Sequence, residues 1–443
     1  EMKKKLAALL LGLSFCLSSC YYSGGSVDSL LHPPRLNDEQ NEIWLALTRT
    51  LQSETIKLVY PQRGDNRSAI ILQNLDGEPS EEAVVFFQQS STTSAAAPIR
   101  MNILDKVDGQ WQSMHDVVLE GTQVEDVTIL NVGTGIPLMA VGLSYTGEGG
   151  SSLLKVIGFD GRVLDTLYSQ YYQAKIICDL TGNGLDDFLL IQSQEAGLGS
   201  LATLVSWNGE TYQTGSSVRM NPEVTRYASL YNGYLRNGVQ AVYIDGYKST
   251  DLMTTEIVAV DNKTEGATLH NLTYNSETMV STGLDRPVGI NCYDISRDGV
   301  IEVPCQRIMP GYREGETGAF YLTDWYHYTD GGFVRQFSSY VNTTLGYLLQ
   351  FPEKWVGKVS VKMTEQQNEL LFYEYQWGSN PVKNELLYFK VATRKDWEDN
   401  KLQSDYELIG TRGQIVYLAR IPKNDSPLRI TITQVKEYFT QML

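Results

Sequence analysis

The sequence predicts a mainly β protein: a β-propeller of about five to seven blades, built from repeats, followed by a small C-terminal α+β domain. Three observations predict it. Short alternating apolar runs, punctuated by Gly, Asp and Asn, fill residues 56–344. Oxygen-rich turns recur there at starts near 74, 131, 179, 234 and 294, a spacing of about 50 to 60 residues. From residue 345 onward the runs lengthen and two helical patterns join them.

At the N-terminus, Met2-Lys3-Lys4-Lys5 precedes an apolar run from Leu6 to Leu17. Lysines before about a dozen apolar or small residues form a secretory signal, and the run is shorter than the roughly 20 residues a bilayer needs. It ends in Leu17-Ser18-Ser19-Cys20, which resembles the lipobox of bacterial lipoproteins. The resemblance implies a signal peptide over 1–19, cleavage before Cys20, and lipid on the Cys20 sulfur with palmitate-type chains. It implies an extracytoplasmic protein on the outer face of a cell membrane. Two acyl chains, at about 0.8 kcal/mol per buried CH₂, anchor stably where one does not. Residues 20–36 begin Tyr21-Tyr22-Ser23-Gly24-Gly25-Ser26, small and polar, and read as a tether.

The formal net charge is −16. Residues 1–19 hold three Lys and one Glu, so they carry +2 and leave −18 on the remainder. Such acidity repels nucleic acid and anionic lipid headgroups and suits a solvated surface domain that takes calcium. About 424 residues remain after cleavage, enough for two domains.

Residues 37–55 read as an N-terminal helix. Asn37 with Gln40 makes a capping box, and Ile43, Leu47 and Leu51 repeat at helical spacing beside Trp44. Next come the oxygen-rich turns, each running into a strand. Three carry side-chain oxygens at positions one, three, five and nine. These are Asn74, Asp76, Glu78 and Glu82; Asp179, Thr181, Asn183 and Asp187; and Asp294, Ser296, Asp298 and Glu302. Degraded copies are Asn131-Val132-Gly133-Thr134-Gly135 and Leu235-Arg236-Asn237-Gly238. Between the turns lie hairpin signals: Asp108-Gly109, Asp160-Gly161, Asn208-Gly209, and Asp330-Gly331, with Asp261-Asn262-Lys263 standing in for the other. Turn, strand, strand, hairpin, strand is the order of a propeller blade. On these residues the segment resembles the FG-GAP/VCBS-type repeats of integrin-like propellers and exported bacterial proteins.

Oxygens at such spacing can converge on calcium, which wants six to eight of them. The competing reading is structural: Asp and Asn cap their own backbone amides and launch the next strand. Of the cysteines, Cys292 and Cys305 bracket one acidic turn; they either form a disulfide in an exported protein or stay buried free thiols.

Residues 345–443 read as an antiparallel sheet with two helices. Strands are expected near 356–363, 369–376, 385–392 and 405–421, with a short helix at Lys395-Asp396-Trp397-Glu398. A final helix is capped by Thr431 and Gln434, with Ile432, Val435, Phe439 and Met442 on one face.

No catalytic residues are assigned. His32, His115, His270 and His327 are scattered, and Gly147-Glu148-Gly149-Gly150 lacks the lysine of a phosphate loop. Neighbouring carboxylates such as Asp186 and Asp187 point to opposite faces of a strand. Tyr227, Tyr231, Tyr234, Tyr243 and Tyr247, and Trp325, Tyr326 and Tyr328, form clusters that suit either a binding surface or the core. The sequence therefore points to a membrane-anchored, non-catalytic binding or scaffold protein that recognises a protein or glycan. The alternative is an extracellular hydrolase or lyase working in the propeller funnel. An envelope assembly factor docking through its C-terminal domain is a third reading.

Overall fold

The computed structural model describes residues 36–51, 56–89, 97–145, 151–194, 197–262, 266–329, 331–364, 369–399 and 405–442. The expected signal peptide, the lipidation site Cys20 and nearly all of the expected tether lie outside the described residues. The chain divides into two compact units: residues 36–58, 69–73 and 80–118, and residues 59–68, 74–79 and 119–442.

In the first unit, helix α1 (Asp38–Leu51) starts at the expected capping box. Gln40 N donates to Asn37 Oδ1 (2.8 Å) and Asn37 N to Gln40 Oε1 (3.2 Å). Its stripe of Ile43, Ala46 and Leu47 buries against Ile70, Val85, Leu104 and Trp111. These belong to sheet one: β1 (Ile56–Leu58), β2 (Ile70–Gln73), β3 (Glu82–Gln89), β4 (Ile99–Val107) and β5 (Gln110–Leu119). β1 and β2 take successive stretches of one edge of β3, and β4 takes the other.

The second unit begins with two four-stranded meanders. Sheet two is β6 (Gln123–Leu130), β7 (Leu138–Ser144), β8 (Ser152–Phe159) and β9 (Leu164–Tyr172). Sheet three is β10 (Ala174–Cys178), β11 (Asp187–Ser193), β12 (Ser200–Trp207) and β13 (Tyr212–Arg219). Sheet four is β14 (Arg226–Tyr234), β15 (Gln240–Tyr247), β16 (Leu252–Asp261) and β17 (Thr268–Asn271). A small hairpin follows, β18 (Tyr274–Asn275) and β19 (Val280–Ser281), and then β20 (Arg286–Pro287), which pairs with the start of β16. Sheet five is β21 (Val303–Ile308), β22 (Tyr321–Thr329), β23 (Gly332–Asn342) and β24 (Tyr347–Phe351).

Strand alternation lets each central strand bury both faces, and within the second unit sheets two to five stack in chain order. Phe188 and Leu190 of β11 pack with Leu138, Ala140 and Val156 of sheet two. Their neighbours Leu189 and Ile191 pack with Val242, Ile244 and Val258 of sheet four. Tyr243 and Ile257, on the other face of sheet four, pack with Ile301 and Val303 at the start of sheet five.

The C-terminal segment forms sheet six from β25 (Val359–Met363), β26 (Leu370–Tyr375), β27 (Val382–Thr393), β28 (Glu407–Arg412) and β29 (Ile415–Arg420), in the order β25-β26-β27-β29-β28. Two helices flank it: α2 (Arg394–Glu398), capped by Thr393, and α3 (Ile432–Tyr438), with the expected Thr431–Gln434 box. One expectation fails here. Phe439 does not continue the helix face; residues Phe439–Gln441 form β30, which pairs with β24 and extends sheet five. The expected boundary near residue 345 thus falls in the turn between two paired strands. Tyr347, Leu349 and Phe351 share one core with Phe372, Phe389 and Tyr417. Among the described residues, no helix is long and apolar enough to cross a membrane.

Candidate functional site at the acidic turns

The first oxygen-rich turn joins β2 to β3, the second to fourth join the first and second strands of sheets two to four, and the fifth leads into β21. All five share one local device. A side-chain oxygen accepts the amide two residues on, across a glycine at positive φ. The acceptors are Asp76 Oδ1 (2.8 Å), Thr134 Oγ1 (3.3 Å), Asn183 Oδ1 (2.8 Å), Asn237 Oδ1 (3.1 Å) and Asp298 Oδ1 (2.9 Å). The glycines are Gly77, Gly135, Gly184, Gly238 and Gly299, with φ between +78° and +83°. An L side chain is strained at such φ even in open space, as at Gly184. Gly184→Ala is therefore expected to cost about 1–2 kcal/mol, read from the urea midpoint, and Gly184→Asn clearly less. Equal costs would remove the conformational explanation.

The third and fifth turns match in further detail. Asp179 accepts the amides of Gly182, Asn183 and Gly184, at 2.7–3.0 Å; Asp294 accepts those of Asp298 and Gly299, at 3.1 and 3.0 Å. Asp187 Oδ2 takes the amides of Leu180 and Thr181 and the Thr181 hydroxyl, at 2.9–3.0 Å. Glu302 Oε2 likewise takes the Ile295 amide, and its Oε1 takes the Ser296 hydroxyl. His327 Nε2 adds a 3.1 Å contact to that Oε1. The candidate ligands are thus brought together in each of these two turns, with their oxygens bonded to backbone amides and to neighbouring side chains. Asp187 Oδ1 is buried without a hydrogen-bond partner.

The first turn needs a correction of register. Asp76, expected at position three, holds the place of Asn183 and Asp298, because Gly77 is its positive-φ glycine. The two extra residues Pro79 and Ser80 then delay the strand, so Glu82 still opens β3 as Asp187 opens β11. Asn74 Oδ1 accepts the Gly77 amide at 2.7 Å, its Nδ2 donates to the Glu78 carbonyl, and Glu82 is buried.

Successive turns touch. Ile136 lies against Gly77. Asn131 N donates to Asp186 Oδ2 (2.7 Å) and its Nδ2 to the Gly184 carbonyl (3.0 Å). Gln240 Nε2 donates to the Asp179 carbonyl (2.7 Å), and Tyr234 N to the Gly299 carbonyl (2.8 Å). Asp186 thus bonds the neighbouring turn while Asp187 caps its own, as strand alternation requires.

Around the third and fourth turns lies a cavity of about 620 Å³, lined by Tyr234, Asn237, Gln240, Asn262, His270 and Tyr328 among others. Tyr234 is 46% exposed and Tyr328 half-buried, while Tyr243 and Trp325 are fully buried, so the aromatic clusters divide between surface and core.

Of the two readings of Cys292 and Cys305, the disulfide is not formed: both are free thiols, Cys292 buried and Cys305 partly so, as is Cys178. Cys292 is committed elsewhere: its amide donates to Asp245 Oδ2 (2.7 Å) and its Sγ lies 3.2 Å from Asp245 Oδ1. Burial pushes its thiol well up, and that of Cys178 to about 12. Sequence reasoning missed this cluster, and it missed Glu256, buried in sheet four. Burial raises the Glu256 carboxyl to about 7, against the lowering pull of its bonds from Asn221 N and Asn271 Nδ2.

No family model and no curated protein matches the chain. Two solved structures align over much of it. One is the periplasmic gluconolactonase PpgL of Pseudomonas aeruginosa, at 12% identity and TM-score 0.23, covering 73% of this chain and 86% of that one. The other is Sqt1 of Chaetomium thermophilum, at 8% identity and TM-score 0.27, covering 82% of this chain and 95% of that one. At this level of likeness neither protein's activity carries over, and the chain stands as a mainly β protein of antiparallel sheets.

Proposed function

We propose that this chain is a lipid-anchored extracytoplasmic protein whose sheets are blades of an FG-GAP/VCBS-like propeller, and that it binds a protein or glycan at its turn end without catalysis. The observation that carries this reading is the commitment of the turn carboxylates. A carboxylate whose oxygens accept two or three amides is fixed in place, which builds a rigid face and leaves those oxygens occupied rather than free to exchange protons with a substrate. The hydrolase or lyase alternative needs carboxylates free to exchange protons. Beside that face, Tyr234 and the amide side chains Asn237 and Asn262 offer stacking and hydrogen bonds. Calcium enters the proposal at the third turn alone, supported by the unpartnered Asp187 Oδ1.

Two measurements test this reading. The lipid-anchored chain, incubated with polysaccharide and protein fractions of its own envelope, is expected to retain a component, and Tyr234→Ala to lower that retention about tenfold. Retention that ignores Tyr234 sinks the binding site. Chelation is expected to lower the melting temperature in wild type and to leave Asp187→Asn unchanged; an identical melt with and without chelator removes calcium from the proposal.

A further inference from the structure

In the cavity of about 620 Å³ beside the third and fourth turns, three side-chain donors are anchored on backbone carbonyls. Gln240 Nε2 donates to the Asp179 carbonyl (2.7 Å) and to Asn232 Oδ1 (3.0 Å). Asn262 Nδ2 donates to the Leu180 carbonyl (3.1 Å), and the Tyr328 hydroxyl to the Leu272 carbonyl (3.0 Å). Anchoring fixes each side chain and spends the donors that would read the hydroxyls of a sugar, while Asn262 keeps its Oδ1 as an acceptor.

The rest of the wall is apolar and electron-rich. Leu235, Ala259 and Val260, each at most 6% exposed, supply aliphatic surface. The rings of Tyr234 and Tyr328 join them, and both are held in place. A Cβ at Gly299 would lie 3.3 Å from Tyr234 Cδ2, so that ring is seated on the fifth turn. Tyr328 meets Phe333 edge-on, with centroids 5.2 Å apart.

The charge at the cavity has one sign. Asp261 is part of the wall, and among the described residues that line it there is no lysine or arginine. The Asp179 carboxylate accepts the amide of Gly182, another wall residue (2.7 Å). Arg236, the neighbour of wall residues Leu235 and Asn237, instead donates to Gln336 Oε1 on β23 (3.3 Å). An anion is repelled by such a cavity, and a neutral sugar finds few donors. A cation on an apolar stem suits every part of it: the stem lies on the aliphatic wall, and the charge meets ring faces, carboxylates and an amide oxygen. We infer that the cavity takes the cationic side chain, lysine or arginine, of a basic protein partner. The occupant so defined rests on the turn end being the binding face, and it selects protein over glycan there. A cavity in the size range of ligand pockets has room for the side chain and its flanking backbone.

The test uses the full chain and capped pentapeptides that carry one lysine, arginine, norleucine or glutamate between two pairs of glycines, read by saturation-transfer NMR titration. Saturable binding of the lysine or arginine peptide is expected, about tenfold tighter than that of the uncharged norleucine peptide, with none of the glutamate peptide. Tyr234→Ala is expected to weaken it about tenfold and Tyr234→Phe less than about twofold, since the ring face and not the hydroxyl meets the cation. His270→Lys, which sets a cation at an exposed wall position, is expected to abolish binding with the melt of the free protein unchanged. No saturable binding of either cationic peptide, norleucine binding as tight as theirs, or binding that survives His270→Lys overturns the inference. Retention of envelope polysaccharide that Tyr234→Ala abolishes, with no peptide bound, also overturns it while the turn end stands as a binding face for glycan. Peptide binding that meets the expectations above, without retention of any envelope component, upholds the cationic occupant while the envelope test fails.

Discussion

Asp245→Ala is expected to destabilise the chain by about 3–5 kcal/mol, measured as a fall in the urea midpoint, because it strands a buried guanidinium. Asp245 and Arg286 both have 0% exposed side chains, and Arg286 Nη2 donates to Asp245 Oδ1 at 2.7 Å. The aspartate sits mid-sheet, opposite Ser229 on β14 and Thr255 on β16. The Thr255 hydroxyl (2.7 Å) and the Cys292 amide also donate to it. Arg286 is otherwise satisfied, by the Ile290 carbonyl (2.8 Å) and Thr255 Oγ1 (2.8 Å). Removing one partner leaves an uncompensated charge in low dielectric, whereas removing both leaves an apolar gap that can be filled. The double variant Asp245→Leu/Arg286→Met is therefore expected to recover most of the loss. A single-variant cost under about 1 kcal/mol, or a double variant as weak as the single, contradicts this account. Cys292 supplies a second readout. Its buried thiol is expected to resist an aromatic disulfide reagent in the native protein and to react once Asp245 is replaced.

This cluster shows where the sequence stopped being legible. Asp245, Thr255, Arg286 and Cys292 are brought together by strand register and by the return of β20 onto β16, and no local pattern marks those pairings. With Cys292 and Cys305 bracketing one acidic turn, a disulfide was one natural reading; the partner that holds Cys292 lies 47 residues upstream. The turns were legible because their cause is local. An Asp, Asn or Thr two residues before an amide, with glycine between, folds the same way wherever it stands. The shift at Asp76 arose because strand onset and turn geometry are separate signals, and Pro79-Ser80 pulls them apart by two residues. The final helix was legible at its cap and not at its end. Phe439 fits a helical stripe, yet pairing with the free edge of β24 holds it as a strand, a choice that depends on an edge about 90 residues earlier in the chain. The stacking of sheets was readable as a repeat, whereas the contribution of the C-terminal strand to sheet five was not.

Glu256 connects burial to pH. The carboxyl is 1% exposed, its Oε1 accepts Asn221 N (2.8 Å) and Asn271 Nδ2 (2.9 Å), and its Oε2 has no partner. Burial disfavours the ionised form and outweighs the two donors, raising the group from 4.5 to about 7. The sign follows from linkage. The folded chain keeps this proton over a range where the unfolded chain has lost it, so the stabilisation is fully present below pH 4.5. It declines as pH rises and is gone once pH passes about 7. A group moved that far carries about 3 kcal/mol of pH-dependent stability. Other carboxylates in so acidic a chain titrate over the same range, so the informative quantity is the difference from Glu256→Gln, which keeps both accepted bonds and cannot ionise. That variant is expected to match wild type near pH 4.5 and to exceed it by about 3 kcal/mol at pH 8. A constant difference between pH 4.5 and pH 8 would mean that Glu256 titrates alike in both states, and that the interface between sheets three and four carries no buried proton.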